Sequence, residues 1–109
     1  MISWIKAAQK DFEKFPLAAR QKTIRALKIA AEGQKTDIVK PMKGLGSGIY
    51  EIVLRYESSA YRVVYAVQIG ADLWVIHAFQ KKSRRGISTP KQDIDVIQDR
   101  IQWLKENIG

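Results

Sequence analysis

A break carrying Pro41, Gly44, Gly46 and Gly48 separates two stretches of unlike hydrophobic period. Residues 35–48 read as a loop, because proline removes a backbone donor and glycine favours conformations that regular elements avoid. Before the break the period is helical. Ile5, Ala8, Phe12 and Phe15 recur at the spacing of one helix face. Pro16 suits the first position of a second helix, from about Leu17 to Glu32, with Gly33 placed to stop it. Leu17, Ile24, Leu27 and Ala31 form its apolar stripe, and Arg20, Lys22, Arg25 and Lys28 lie mainly off it. The very short turn between the helices predicts an antiparallel pair. After the break the period is two. Ile49–Arg55 alternates, with Tyr50, Ile52 and Leu54 on one face and Glu51, Val53 and Arg55 on the other. Tyr61–Val67 and Asp72–Phe79 are further strands, joined through turns at residues 57–60 and 69–71. A short extended start at Ile2–Trp4 also fits. The expected result is an α+β fold, an antiparallel meander with helices on one face.

The last helix carries its own start signal. Thr89-Pro90-Lys91-Gln92 fits a capping box with Pro90 at the first helical position, and Asp93 and Asp95 suit the positive end of the helix dipole. Ile94, Ile97, Ile101, Leu104 and Ile108 form an apolar stripe that is expected to dock this helix on the same domain, with a partner surface as the alternative.

A chain of 109 residues fits one domain, spanning 1–109. Its net charge of +8 is not spread evenly. Basic residues gather at Lys40 and Lys43, at Arg55 and Arg62, and in the run Lys81, Lys82, Arg84 and Arg85. Such clustering favours a polyanionic partner over a uniformly solvated surface. The absence of cysteine excludes disulfides and thiolate metal sites. No apolar run approaches the length needed to cross a bilayer, and the N-terminus turns charged too early for a signal peptide. A cytoplasmic location without membrane attachment is expected. The single histidine, His77, has no second metal-ligand partner in the sequence, and no phosphate-loop or dinucleotide fingerprint is present. Neither metal nor cofactor is expected.

What remains is a basic constellation suited to RNA. RNA can be cut without metal when its own 2′-hydroxyl attacks the adjacent phosphorus. The protein then has to position the backbone, move protons and stabilise the phosphorane. Arginine suits the charge role because its fork meets two phosphate oxygens at once. His77 alternates with Val75 and Phe79 on an apolar strand, where a satisfied sheet histidine is the commoner finding than a base. Phe79 adjoins the basic run and could stack on a nucleobase, with core packing as the plainer reading. Tyr61 and Tyr65 read as core, and Trp4, Trp74 and Trp103 as packing or partner contacts.

The blocks KPMKGLGSGIYEI, YRVVYAV and WVIHAFQKKSRRGISTPKQDID, in this order and spacing, resemble the phage-derived (gene product 49-like) branch of the RelE/ParE toxin superfamily, with HigB toxins as close relatives. The resemblance covers nearly the whole chain. It implies an N-terminal helix pair packed on a three- or four-stranded antiparallel sheet, with a C-terminal helix. It implies the toxin of a type II toxin–antitoxin system, partnered by a small helix-turn-helix antitoxin. The activity it implies is that of a metal-independent mRNA endoribonuclease acting on the ribosome. Arg62 matches the phosphate-stabilising arginine of RelE-type enzymes, and Lys82 falls where they carry a second catalytic arginine. Lys43 and Arg55 match basic positions, and Lys40, Lys81, Arg84, Arg85 and Phe79 complete the RNA-binding set. His77 or a lysine would handle protons. Glu51 and Val53 stand where RelE-type enzymes have two substrate-facing lysines, and Ile87, Ser88 and Thr89 occupy the stretch where a tyrosine is expected. The alternatives are a ParE-like toxin that binds DNA gyrase and cleaves nothing, or a non-catalytic module that binds only antitoxin or nucleic acid.

Overall fold

A computed structural model describes residues 1–81 and 89–109. Its elements follow in the order β1 (Ile2–Trp4), α1 (Lys6–Phe12), α2 (Leu17–Ala31), β2 (Val39–Pro41), β3 (Ile49–Tyr56), β4 (Ser59–Ala66), β5 (Leu73–Lys81) and α3 (Lys91–Asn107). The strands form one sheet in the order β1-β5-β4-β3-β2. The α+β class and the three-strand meander stand. The sheet is wider than three or four strands because a short segment joins each rim. Ile2 lies opposite Leu73 and Trp4 opposite Val75, which makes β1 a parallel neighbour of β5. Val39–Pro41, inside the stretch read as a loop, pairs antiparallel with Tyr50–Ile52. Pro41 is tolerated there because β2 is an edge strand.

Helices cover both faces of the sheet, not one. β4 is the central strand, and almost every residue of it is buried. Its two faces are both apolar, so both need a cover. Tyr61, Val63 and Tyr65 join Ile52, Leu54 and Val75 in a core closed by α1 and α2. Val64 and Ala66 join Ile49 and Ile76 in a second core closed by Ile97, Ile101 and Leu104 of α3. The two N-terminal helices pack chiefly on the sheet, α1 along β5 and α2 on β3. A run of ring contacts, Trp4–Phe12 at 5.0 Å, Phe12–Phe15 at 5.6 Å and Phe15–Tyr61 at 4.9 Å, ties β1 and α1 to β4.

The buried stripe of α2 is rotated from the expected one. Ala19, Thr23, Ala26, Leu27 and Ala30 are buried, while Leu17 is 59% exposed. Small side chains let the helix backbone approach a sheet face already filled by tyrosines. Thr23 satisfies its hydroxyl on the Ala19 carbonyl at 2.8 Å. Gly33 stops the helix as expected. Its φ of 87° allows the bonds Gly33 N–H to Ala30 and Gln34 N–H to Ile29 that close the last turn. Both prolines sit one position earlier than the sequence suggests. The Pro16 and Pro90 carbonyls accept the first helical bonds, from Arg20 and Ile94, so each proline is the cap. Thr89 therefore does not cap α3, and no capping box forms. No described helix is long and apolar enough to cross a membrane.

Tyr65 is fully buried against Tyr50, with ring centroids 5.5 Å apart, and its hydroxyl has no partner among the described residues. Burial, with a smaller contribution from Tyr50, pushes its pKa up to about 12. An unfolded tyrosine releases its proton near pH 10. The folded state thus holds a proton that the unfolded state loses, and stability falls as pH rises from about 10 to about 12. Tyr65→Phe should be neutral or slightly stabilising at pH 7. At pH 11 it should recover on the order of 1 kcal/mol relative to the parent, read by urea unfolding at both pH values.

Candidate functional site

Strand register sets the charged residues of the sheet in rows. Arg55 lies opposite Ala60, which lies opposite Lys81. The next row is Val53, Arg62 and Phe79, and the one after it is Glu51, Val64 and His77. Lys40 on β2 lies opposite Glu51. Directly opposed residues share a face. Lys40, Arg55, Arg62, His77, Phe79 and Lys81 therefore meet on the face that α3 packs against. Lys43 does not join them. It is exposed in the β2–β3 turn, beyond the Ile49 row, and roughly 20 Å of strand separates that row from Arg55. Lys82, Arg84 and Arg85 lie outside the described residues.

Arg62 is the charge within an otherwise apolar, doubly covered strand. It is 2% exposed, and so is Glu51 diagonally across from it. Taking a guanidinium out of water costs several kcal/mol unless an anion meets it. Glu51 supplies that anion: Arg62 Nη1 donates to Oε1 at 3.3 Å and to Oε2 at 3.4 Å. Lys40 Nζ stands 3.9 Å from the same carboxylate, and the Thr89 hydroxyl donates to Oε2 at 3.3 Å. The contact from Thr89 explains why that residue leaves the cap position. Arg62 Nε has no partner among the described residues. By sequence Glu51 has no role in the site: it shares a strand face with Val53 and Arg55 and stands where RelE-type enzymes carry a lysine. Its phase carried the missing signal, since it alternates with the buried Ile49, as Arg62 does with Val64 and Ala66.

His77 lies differently from the expectation. A bulge between Val64 and Tyr65 sets Val64 opposite His77 but Tyr65 opposite Val75, leaving Ile76 as an extra residue on β5. The bulge breaks the alternation of His77 with Val75. Val75 enters the α1–α2 core, while the His77 ring reaches α3. Arg100 Nη1 donates to His77 Nδ1 at 3.1 Å and to the Ile76 carbonyl at 2.9 Å. Arginine can only donate, so Nδ1 accepts and Nε2 carries the proton, given to Asp93 Oδ1 at 2.8 Å. Phe79 stacks on the same ring, 5.1 Å between centroids. His77 thus fastens α3 to β5 with both nitrogens engaged. His77→Phe should lower stability by about 1–3 kcal/mol in urea unfolding, because it leaves two charged groups without their partner. A loss under about 0.5 kcal/mol would mean that the clamp carries no weight.

Among the described residues, no three of His, Cys, Asp and Glu converge as metal ligands would. The face is a cationic surface around a buried arginine–carboxylate pair, with an aromatic ring beside it.

A family model described as phage derived protein Gp49-like matches residues 10–102. No curated protein matches the chain. Two solved structures are similar in fold. An arginine-to-alanine double mutant of the E. coli toxin RelE in the free state has a TM-score of 0.64 at 18% identity, over 94% of this chain and 95% of that one. The isolated E. coli RelE toxin has a TM-score of 0.62 at 21% identity, over 89% of this chain and 97% of that one.

Proposed function

We propose that this chain, which belongs to the phage-derived Gp49-like family of RelE-like toxins, is the toxin of a type II toxin–antitoxin system and cleaves mRNA on the ribosome without metal. The observation that carries this reading is Arg62, buried with a spare Nε donor, on the sheet face that also gathers Lys40, Arg55, Phe79 and Lys81. In this reading the RNA 2′-hydroxyl gives up its proton to a lysine or to water and attacks the adjacent phosphorus; the P–O5′ bond breaks, the 5′-oxygen takes up a proton, and a 2′,3′-cyclic phosphate remains. Arg62 and Lys82 stabilise the charge that collects on the phosphorane oxygens. Arg55, Lys40, Lys81, Arg84 and Arg85 hold flanking phosphates, and Phe79 offers a stacking surface. His77 contributes by fixing Phe79 and α3, since both its ring nitrogens are already engaged. Lys43, set at the far end of the sheet, would meet RNA only along an extended track. The partner is a small helix-turn-helix antitoxin with an acidic surface that covers the basic face.

One observation favours the protein-binding alternative. Arg62 already has a carboxylate, Glu51, in the place where a phosphate would sit. A gyrase-binding toxin would need no free arginine there. Mapping mRNA 5′ ends by primer extension, minutes after induction, separates the readings. New discrete ends inside translated frames are expected, and Arg62→Ala and Lys82→Ala should each abolish them and the growth arrest. A thermal melt must show that each variant folds. Intact messages with arrested growth would move the assignment to a protein target, and full toxicity in both variants would remove these residues from the mechanism.

A further inference from the structure

We infer that Glu51 is a resident anion in a phosphodiester-binding cradle, and that RNA binds Arg62 by displacing it. The inference rests on the RNA-directed reading of this face and adds a residue that sets its affinity. Three donors from three separate parts of the chain converge on one carboxylate: Lys40 from β2, Arg62 from β4 and Thr89 from the head of α3. Two cations and a hydroxyl around one anion is also the demand of a phosphate group.

The geometry is poor for a permanent ion pair. Charge-assisted N–H···O bonds ordinarily span about 2.7–2.9 Å, and a well-made arginine–carboxylate pair uses two nitrogens in parallel. Here both carboxylate oxygens lie 3.3–3.4 Å from the single nitrogen Nη1. Nε, buried and without a partner among the described residues, is left over. The Glu51 carboxylate meets the guanidinium at Nη1 alone and leaves the Nε edge open. A phosphate, with oxygens disposed around a tetrahedron, can engage Nε and Nη together. Glu51 keeps a buried guanidinium tolerable while the cradle is empty of RNA, and the same contact holds RNA affinity down.

The test uses the full chain and a short, fluorescein-labelled, single-stranded oligoribonucleotide with 2′-O-methyl groups, which cannot be cut. Binding is read by anisotropy over a salt series. Glu51→Gln keeps the shape and an acceptor but removes the charge. It should bind about 10-fold tighter, the worth of one charge-assisted contact. The slope of log K against log salt should also steepen by about 0.7, one further phosphate neutralised on a single strand. Arg62→Gln should cancel that gain in the Glu51→Gln background while changing parental binding far less. A folded Glu51→Gln variant with unchanged or weaker binding, and an unchanged slope, overturns the inference. So does loss of mRNA cleavage without tighter binding, which would make Glu51 a proton-transfer group. If a thermal melt shows that Glu51→Gln does not fold, Glu51→Asp, with its carboxylate drawn back by one methylene, decides the matter: tighter binding supports the inference and unchanged binding overturns it. Tighter binding together with no cleavage by the parent protein would sink the ribonuclease reading and leave this one standing.

Discussion

Covering β4 on both faces requires two sets of helices, and the positions of α1, α2 and α3 follow from that requirement. Each apolar side chain that β4 buries contributes roughly 1.5–3 kcal/mol, and neither face could be left open without losing several of them. Within this strand the charge on Arg62 is out of character. It is admitted because Glu51 on β3 faces the same layer and Lys40 and Thr89 stand behind it. The candidate site is therefore not a loop added to a finished scaffold. It lies on the sheet face of the second core, beside Val64 and against Thr89 at the head of α3.

The long elements are legible in the sequence, and of the two short ones only the extended start at Ile2–Trp4 is. The meander, α1, α2 and α3 each hold a hydrophobic period over enough residues to be recognised. β1 and β2 have three residues each, too few to show any period, and they are strands only because β5 and β3 offer an edge. The stripe of α2 differs from the expected one because side-chain size alone points to Leu17 and Ile24, whereas the helix buries its alanines. A helix on a tyrosine-filled face is better served by the small ones. The bulge at Ile76 could not be read either. Residues 73–79 are apolar on both sides of the sheet, so a one-residue slip leaves no trace in composition.

The site was legible as a set of cations and illegible as an arrangement. Lys40, Arg55, Arg62, Phe79 and Lys81 are scattered through the sequence, yet antiparallel register brings them to one face. Lys43 looked equivalent to Lys40, but the turn between β2 and β3 carries it to the other end. The partner of Arg62 was hidden because an acidic residue on a strand ordinarily marks the solvent side. Glu51 reverses that rule, and only its alternation with Ile49 could have shown it. For His77 the sequence leaves two roles open, a satisfied sheet histidine or a proton-handling group, and its bonds to Asp93 and Arg100 depend on tertiary contacts with α3 that no sequence pattern shows.

The parallel pairing of β1 with β5 bears on how the chain is made. Ile2, Ser3 and Trp4 are synthesised about 70 residues ahead of the strand that receives them, through Leu73, Trp74 and Val75. At about 5–20 residues per second, the first strand waits several seconds for its partner. Thr89 and α3 come later still. A nascent chain halted after β5 already holds the meander, with Arg62 and Glu51 on neighbouring strands. It lacks Thr89 and the helix that follows it. The last of the three donors to Glu51 thus arrives with the head of α3, after the sheet strands are already made.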